Sequence, residues 1–251
     1  MTISYVDAEW IAFRDKFLRP LFTSEQYQAL EWIFRLSWQT HENEERIDGE
    51  PYMTHIMAII NKLDRLGIHH PLILMEALGH DVFENSGELM QRENEKYSEF
   101  SDRTRRFICE HAGPRIGPKL ADRLIVLTKP KIDGIEIRTE ADRMDVYIEN
   151  LYSAPADTIL VKMVDRWHNM QTLGALSEDK QYEQCVETGA YMLTLFEEIA
   201  DVYPSAYSRL DREIKRSLSR FDPEWFGDTN YYLRVNEIRQ KKALPSAEIL
   251  K

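Results

Sequence analysis

Hydrophobic positions along this chain recur at spacings of three and four, which is the period of amphipathic helices. Trp10, Phe13 and Phe17 predict a short aromatic-faced helix within residues 8–20. Thr23-Ser24-Glu25 offers an N-cap, and the stripe Tyr27, Leu30, Phe34 and Trp38 predicts the helix behind it. That stripe reads as core packing. A turn-rich link from Arg46 to Tyr52 leads to a helix with Pro51 in its first turn, carrying His55, Ile59, Ile60, Leu63 and Leu66 and ended by Gly67. Pro71 opens another, whose Leu72, Met75 and Leu78 lead into His80-Asp81 and a break near Asn85-Ser86-Gly87. Residues 88–106 are crowded with charge and read as a solvated helix or a long polar excursion. Helical pattern returns from Lys119 to Leu127, residues 129–134 form a loop, and further helices are expected over 139–152, 156–174, 180–202 and 205–219. The tail after Asp222 holds Pro223, Trp225 and Tyr231-Tyr232. The expected fold class is therefore all-α.

Composition narrows this picture. The 251 residues, 43% hydrophobic, suffice for one sizeable core with extensions, and ten Gly and ten Pro are too few for a low-complexity chain. We expect an N-terminal helical extension over 1–24, a main domain over 25–202 and a C-terminal helical extension over 203–251. A net charge of −11 gives no general attraction for nucleic acid or anionic membranes, so neither is expected as a partner. An anionic substrate would need local positive charge, which a metal ion and a few arginines supply. The two distant cysteines, Cys109 and Cys185, fit a reducing compartment, the N-terminus lacks the pattern of a signal peptide, and no apolar run approaches membrane-spanning length. A cytoplasmic location is expected, and a homo-oligomer is compatible with these features.

Three segments hold the residues that carry chemistry: Arg46 to His55, His80-Asp81-Val-Phe-Glu84-Asn85, and Asp165-Arg-Trp-His168-Asn169. Imidazoles and carboxylates suit a divalent ion such as Mn²⁺, Fe²⁺ or Zn²⁺, and the absence of cysteine from the group argues against a closed structural zinc site. Asp165 and Asn169 share one helix face, beside an apolar stripe of Met163, Trp167 and Met170. Singly, each residue has a plainer reading: a satisfied structural histidine, a chance His-Asp pair, an Asp-Arg ion pair on a helix surface. The joint order His…His-Asp…Asp in a helical chain is what points to a metal centre.

These segments resemble the motifs of a known family. Gly49-Glu-Pro-Tyr-Met-Thr-His55 is similar to the G-x-P-Y-x-x-H that opens the alarmone hydrolase domain of the RelA/SpoT family. Leu78-Gly-His80-Asp81-Val-Phe-Glu84-Asn85-Ser86 resembles its L-x-H-D-x-x-E-D-T, and Val161 to Leu173 resembles its K-x-x-D-R-x-H-N-M-x-T-L. The likeness runs over about residues 25–200, with weaker echoes at Val126 to Lys129, Glu140 to Met144 and Glu187-Thr188. It implies an HD-domain helical bundle that removes pyrophosphate from the 3′ position of ppGpp or pppGpp. It implies His55, His80, Asp81 and Asp165 as ligands of one Mn²⁺, or another divalent metal. Glu84 and Asn85 take the catalytic carboxylate positions beside the attacking water, and Arg46, Asn169 and Thr172 contact the phosphorylated nucleotide. His168 is expected to brace a ligand carboxylate, and Arg166 to form a structural ion pair. The chain departs from the pattern at Asn85, where the family has Asp, and at Ile47-Asp48, where it often has Lys and a small polar residue. These departures keep two alternatives in view: a phosphatase acting on another phosphorylated nucleotide, and a weakly catalytic nucleotide-binding sensor. With no length after residue 220 for an alarmone synthetase, a stand-alone hydrolase module is expected.

Overall fold

Thr23 starts the first long helix as its side chain suggests. Its hydroxyl accepts the Gln26 N–H at 3.2 Å while Gln26 Oε1 accepts the Thr23 N–H at 2.8 Å, a reciprocal cap. The computed structural model describes residues 5–17, 22–85 and 87–221, the side chains of 85 and 190 excepted. The expected tail beyond 221 lies outside the described residues. Helix α1 (Tyr5–Phe17) lays Trp10 and Phe13 against Phe34 of α2 (Ser24–His41), ring centroids 5.4 and 5.2 Å apart.

Between α2 and α3 (Tyr52–Arg65) the chain makes a tight reversal. Glu45 and Pro51 form an isolated bridge, Arg46 N–H donates to Glu50 O at 2.8 Å, and Gly49 takes φ 84°, a conformation that favours glycine. Among the described residues there is no strand. Helices α4 (Pro71–Gly79) and α9 (Ala156–Gln171) lie at the centre. Every α4 residue except Leu72 is buried, because α2, α3, α7 (Gly117–Leu127) and α9 surround it. Helix α9 buries Ile159, Leu160, Val161, Met163 and Val164 and touches α3, α4, α7, α8 (Glu140–Ser153) and α12 (Pro204–Leu218). One hydrophobic cluster extends from Trp10 to Leu218. The short α5 (Val82–Asn85) follows α4 after the two residues His80 and Asp81. Both central helices thus deliver polar side chains to places where water is scarce.

Two expectations are corrected. Residues 88–96 are the expected polar excursion, but the segment after them is not wholly solvated. From Tyr97 to Ala112 it forms α6, which buries Phe100, Thr104, Ile108 and Ala112, one residue every fourth position. The charges occupy its other faces. Gly117 lets α7 approach α6 closely, since a Cβ there would stand 2.6 Å from the Cys109 Cα. The single helix expected over 180–202 is broken into α10 (Glu178–Glu187), a π turn (Thr188–Met192), α11 (Leu193–Phe196) and a 3₁₀ turn (Glu197–Ile199). The Thr188 hydroxyl donates to Gln184 O at the junction, a local bond that competes with the regular ladder.

Candidate active site

His55 comes from α3, His80 and Asp81 from the end of α4, and Asp165 from α9. Ligand atoms of His55, His80 and Asp165 all lie within 4.8 Å of one another, and all three residues are buried. His55 Nε2 is 3.3 Å from His80 Nε2 and 3.3 Å from Asp165 Oδ1. Asp81 joins through Oδ2, 2.9 Å from His80 Nε2 and 3.7 Å from His55 Nε2.

The surroundings decide which atoms face inward. His80 Nδ1 sits 2.9 Å from Ala77 O, and because a carbonyl only accepts, Nδ1 must carry the proton of that bond. Nε2 is then the nitrogen turned to the carboxylates. His55 Nδ1 lies 2.8 Å from His168 Nδ1, so one of the two donates. His168 is therefore a partner of a ligand imidazole, whereas a carboxylate contact was expected. Burial, with His55 and Arg46 nearby, pushes the His168 imidazole down to about 4, so it is neutral and able to accept.

Electrostatics show what the cluster lacks. Burial pulls His80 down, but the carboxylates of Asp81 and Asp165 outweigh it and raise the imidazole to about 9. Asp165 stays well below the usual carboxylate range: burial works against this, and Lys162, whose Nζ donates to Oδ2 at 2.8 Å, prevails. A proton on His80 is thus the one positive charge among the four groups that point at each other, in a place suited to a divalent cation. The donor set fits: two imidazole nitrogens and two carboxylates converge, with no thiol and with outer partners already on His80, His55 and Asp165.

Glu84 lies on α5 beside this cluster. Its Oε1 accepts the Lys129 N–H at 2.5 Å, and burial, reinforced by the Asp81 charge, raises its carboxyl to about 7. Asn85 is the last residue of α5, and its side chain lies outside the described residues. Arg46, Asn169 and Thr172 come together from opposite ends of the sequence. Arg46 donates through one terminal nitrogen to Thr172 Oγ1 at 2.9 Å and to Asn169 Oδ1 at 3.3 Å, and Asn169 Nδ2 donates to Asp165 Oδ1 at 2.7 Å. A continuous chain of contacts therefore joins Arg46 to the cluster of His55, His80, Asp81 and Asp165. Arg166, buried, donates to Glu187 at 2.7 Å and so holds α9 to α10.

Three neighbours escaped the sequence reading. Tyr52 donates to Asp81 Oδ2 at 2.6 Å, Lys162 holds Asp165, and Lys129 both caps Glu84 and reaches Glu187 at 3.4 Å. The signal for the first two was their place three residues before a ligand on the same helix. A cavity of about 390 Å³ opens at Lys129, lined also by Arg143, Met144, Tyr182, Glu187 and Tyr191.

With this geometry in place, comparison with known proteins is informative. The chain is 31% identical over 154 residues to a guanosine-3′,5′-bis(diphosphate) 3′-pyrophosphohydrolase of Haemophilus influenzae, covering 59% of this chain and 19% of that protein. It is 26% identical over 177 residues to the bifunctional (p)ppGpp synthase/hydrolase SpoT of Escherichia coli, covering 69% of this chain and 22% of that protein. The chain is similar to a segment of each of these proteins. It spans about one fifth of the length of these curated relatives. A solved structure of a metazoan SpoT ortholog, described as hydrolyzing ppGpp, aligns over 90% of this chain and 100% of its own at 16% identity and TM-score 0.47. No family model matches.

Proposed function

We propose that this chain is a divalent-metal-dependent phosphohydrolase that removes pyrophosphate from the 3′ position of ppGpp or pppGpp, with Mn²⁺ as the resident ion. The observation that carries the reading is the convergence of His55, His80, Asp81 and Asp165, tied through Asn169 to Arg46. What its SpoT relatives are named for supplies the substrate class. No described helix is long and apolar enough to cross a membrane, and the two free cysteines suit the cytoplasm, where we place the activity.

His55, His80, Asp81 and Asp165 would hold the ion, which supplies Lewis acidity toward water and offsets charge on the phosphate. Glu84 orients the attacking water and takes its proton. Burial makes the Glu84 carboxylate a stronger proton acceptor than an exposed one, which suits that task. The Lys129 N–H on Oε1 fixes the carboxylate plane. Arg46 presents its guanidinium to a phosphate while Thr172 and Asn169 hold one of its nitrogens, and Asn169 keeps Asp165 aligned. Asn85 contributes next to Glu84, where it can hydrogen-bond but cannot take a proton.

The test is direct. Purified protein with Mn²⁺ is incubated with ppGpp and a panel of other nucleotides, and pyrophosphate and orthophosphate are scored separately. Pyrophosphate from ppGpp is the expected result, and Glu84→Gln should suppress it with Mn²⁺ still bound. Orthophosphate from another nucleotide would make the chain a phosphatase, and tight binding of ppGpp without release would make it a sensor.

A further inference from the structure

Tyr52 opens α3 three residues before His55 and has no part in the reaction just described. Its hydroxyl donates to Asp81 Oδ2 at 2.6 Å. That is the oxygen turned toward both imidazoles, 2.9 Å from His80 Nε2 and 3.7 Å from His55 Nε2. Asp81 needs such a partner more than the other three groups do. Its side chain keeps 15% of its surface exposed, against 1–4% for His55, His80 and Asp165. It also lies in the turn between α4 and α5, outside either helix.

The phenol is held on its own account. The His41 imidazole lies flat on its ring, centroids 4.4 Å and planes 14° apart. His41 Nδ1 is in turn 2.7 Å from Glu44 Oε2, and the Glu44 carbonyl accepts the Tyr52 N–H at 2.9 Å. Glu44, His41 and Tyr52 thus form a connected stack that places the phenol hydroxyl on Asp81.

We propose that Tyr52 is a positioning residue for the metal centre: its hydrogen bond fixes the Asp81 carboxylate with Oδ2 toward the imidazoles and thereby sets the affinity for a divalent cation. This rests on the reading of His55, His80, Asp81 and Asp165 as a metal centre and is independent of which nucleotide is cleaved. Outer partners of metal ligands typically contribute a factor of roughly 10–100 in affinity.

The experiment measures Mn²⁺ binding to the metal-stripped full chain by electron paramagnetic resonance of the free ion. Tyr52→Phe keeps the ring, the stack and the burial and removes only the donor. It should weaken Mn²⁺ binding by roughly 10–100-fold while the melting temperature of the metal-free protein stays that of wild type. Saturating Mn²⁺ should restore most of kcat. Replacing Tyr52 with 4-aminophenylalanine returns a donor to the same place and should return the affinity. Unchanged affinity in Tyr52→Phe, equal weakening in both variants, or a Phe variant that does not fold would each overturn the proposal, the last by making the role structural. A wild-type chain that binds no Mn²⁺ overturns it together with the metal centre. Tight Mn²⁺ binding without ppGpp cleavage removes only the substrate reading.

Discussion

Helices α4 and α9 meet through polar groups in two places, and the two clusters are built on opposite plans. In the first, Glu76 of α4 is fully buried against Arg123 of α7, accepts from Thr158 Oγ1 at 2.7 Å, and shares Arg123 with Asp157, 3.1 Å away. Tyr203 donates to Asp157 as well. Every carboxylate there meets a donor from the protein itself. One turn further along α4, Tyr52, Lys162 and Asn169 donate to Asp81 and Asp165 from outside, while on the inner side the two carboxylates and the imidazoles of His55 and His80 converge on one point with only the His80 proton between them. The first cluster pairs each carboxylate with a cation or hydroxyl and ends there, whereas the second gathers like donor atoms at one point, an arrangement found at functional sites more than in structural networks.

The comparison breaks first on function. His80→Ala should lose Mn²⁺ and drop pyrophosphate release to background, since an incomplete shell holds the ion poorly. Metal analysis of the purified variant checks this, and stoichiometric Mn²⁺ with full turnover would end the distinction. Stability gives the mirror image. Arg123→Ala takes away the charged partner of Glu76 and leaves it Thr158 alone; above pH 7, where the carboxylate is charged, this should cost about 3–5 kcal/mol by urea unfolding, with Mn²⁺ affinity unchanged in the folded fraction.

A pH profile sharpens the same contrast. Burial raises the Glu76 carboxyl to about 7, against the lowering pull of Arg123 and Thr158. The folded state therefore binds this proton more tightly than the unfolded chain, whose Glu titrates near ~4.3. The contribution is fully present below the unfolded value and is lost as pH rises through about 7. Between these limits it amounts to at most about 4 kcal/mol. Glu76→Gln should flatten that part of the metal-free stability curve, and an identical slope in both proteins would contradict the assignment. The smallest effect concerns the arginine at the edge of the open cluster. Arg46→Lys keeps the charge but loses the planar fork that reaches Asn169 and Thr172, so KM for the substrate should rise roughly tenfold, about 1.4 kcal/mol.

Much of the fold was readable from the apolar pattern, because α2, α3 and α7 each bury one coherent stripe and α4 and α9 bury nearly continuous runs. Helix α6 was hidden by composition. Only one residue in four faces its core, so the charges between them dominate any window of sequence. The break at Thr188–Met192 was hidden for the opposite reason, since buried residues continue across it and a widened turn leaves no mark on spacing. At the site, residue type and order marked His55, His80, Asp81 and Asp165 as a group, and contact bears out their proximity. The outer partners were not legible. Tyr52 and Lys162 look like ordinary motif residues until the turn after α4 and the interior of α9 bring them onto Asp81 and Asp165. Nor did the sequence distinguish a carboxylate from an imidazole as the neighbour of His168.

One consequence is optical. The Trp167 indole adjoins the His168 ring, centroids 6.0 Å apart, and His168 in turn adjoins His55 at 4.9 Å. The Lys62 ammonium lies 4.0 Å over the same indole. A tryptophan in that position is a natural lamp beside the metal centre. Mn²⁺ is paramagnetic and quenches the emission of nearby rings, so if the proposed centre takes it, emission from Trp167 should fall as the centre fills. Fluorescence titration of the unlabelled chain then reads occupancy directly, with Trp167→Phe as the dark control against the light of the other tryptophans.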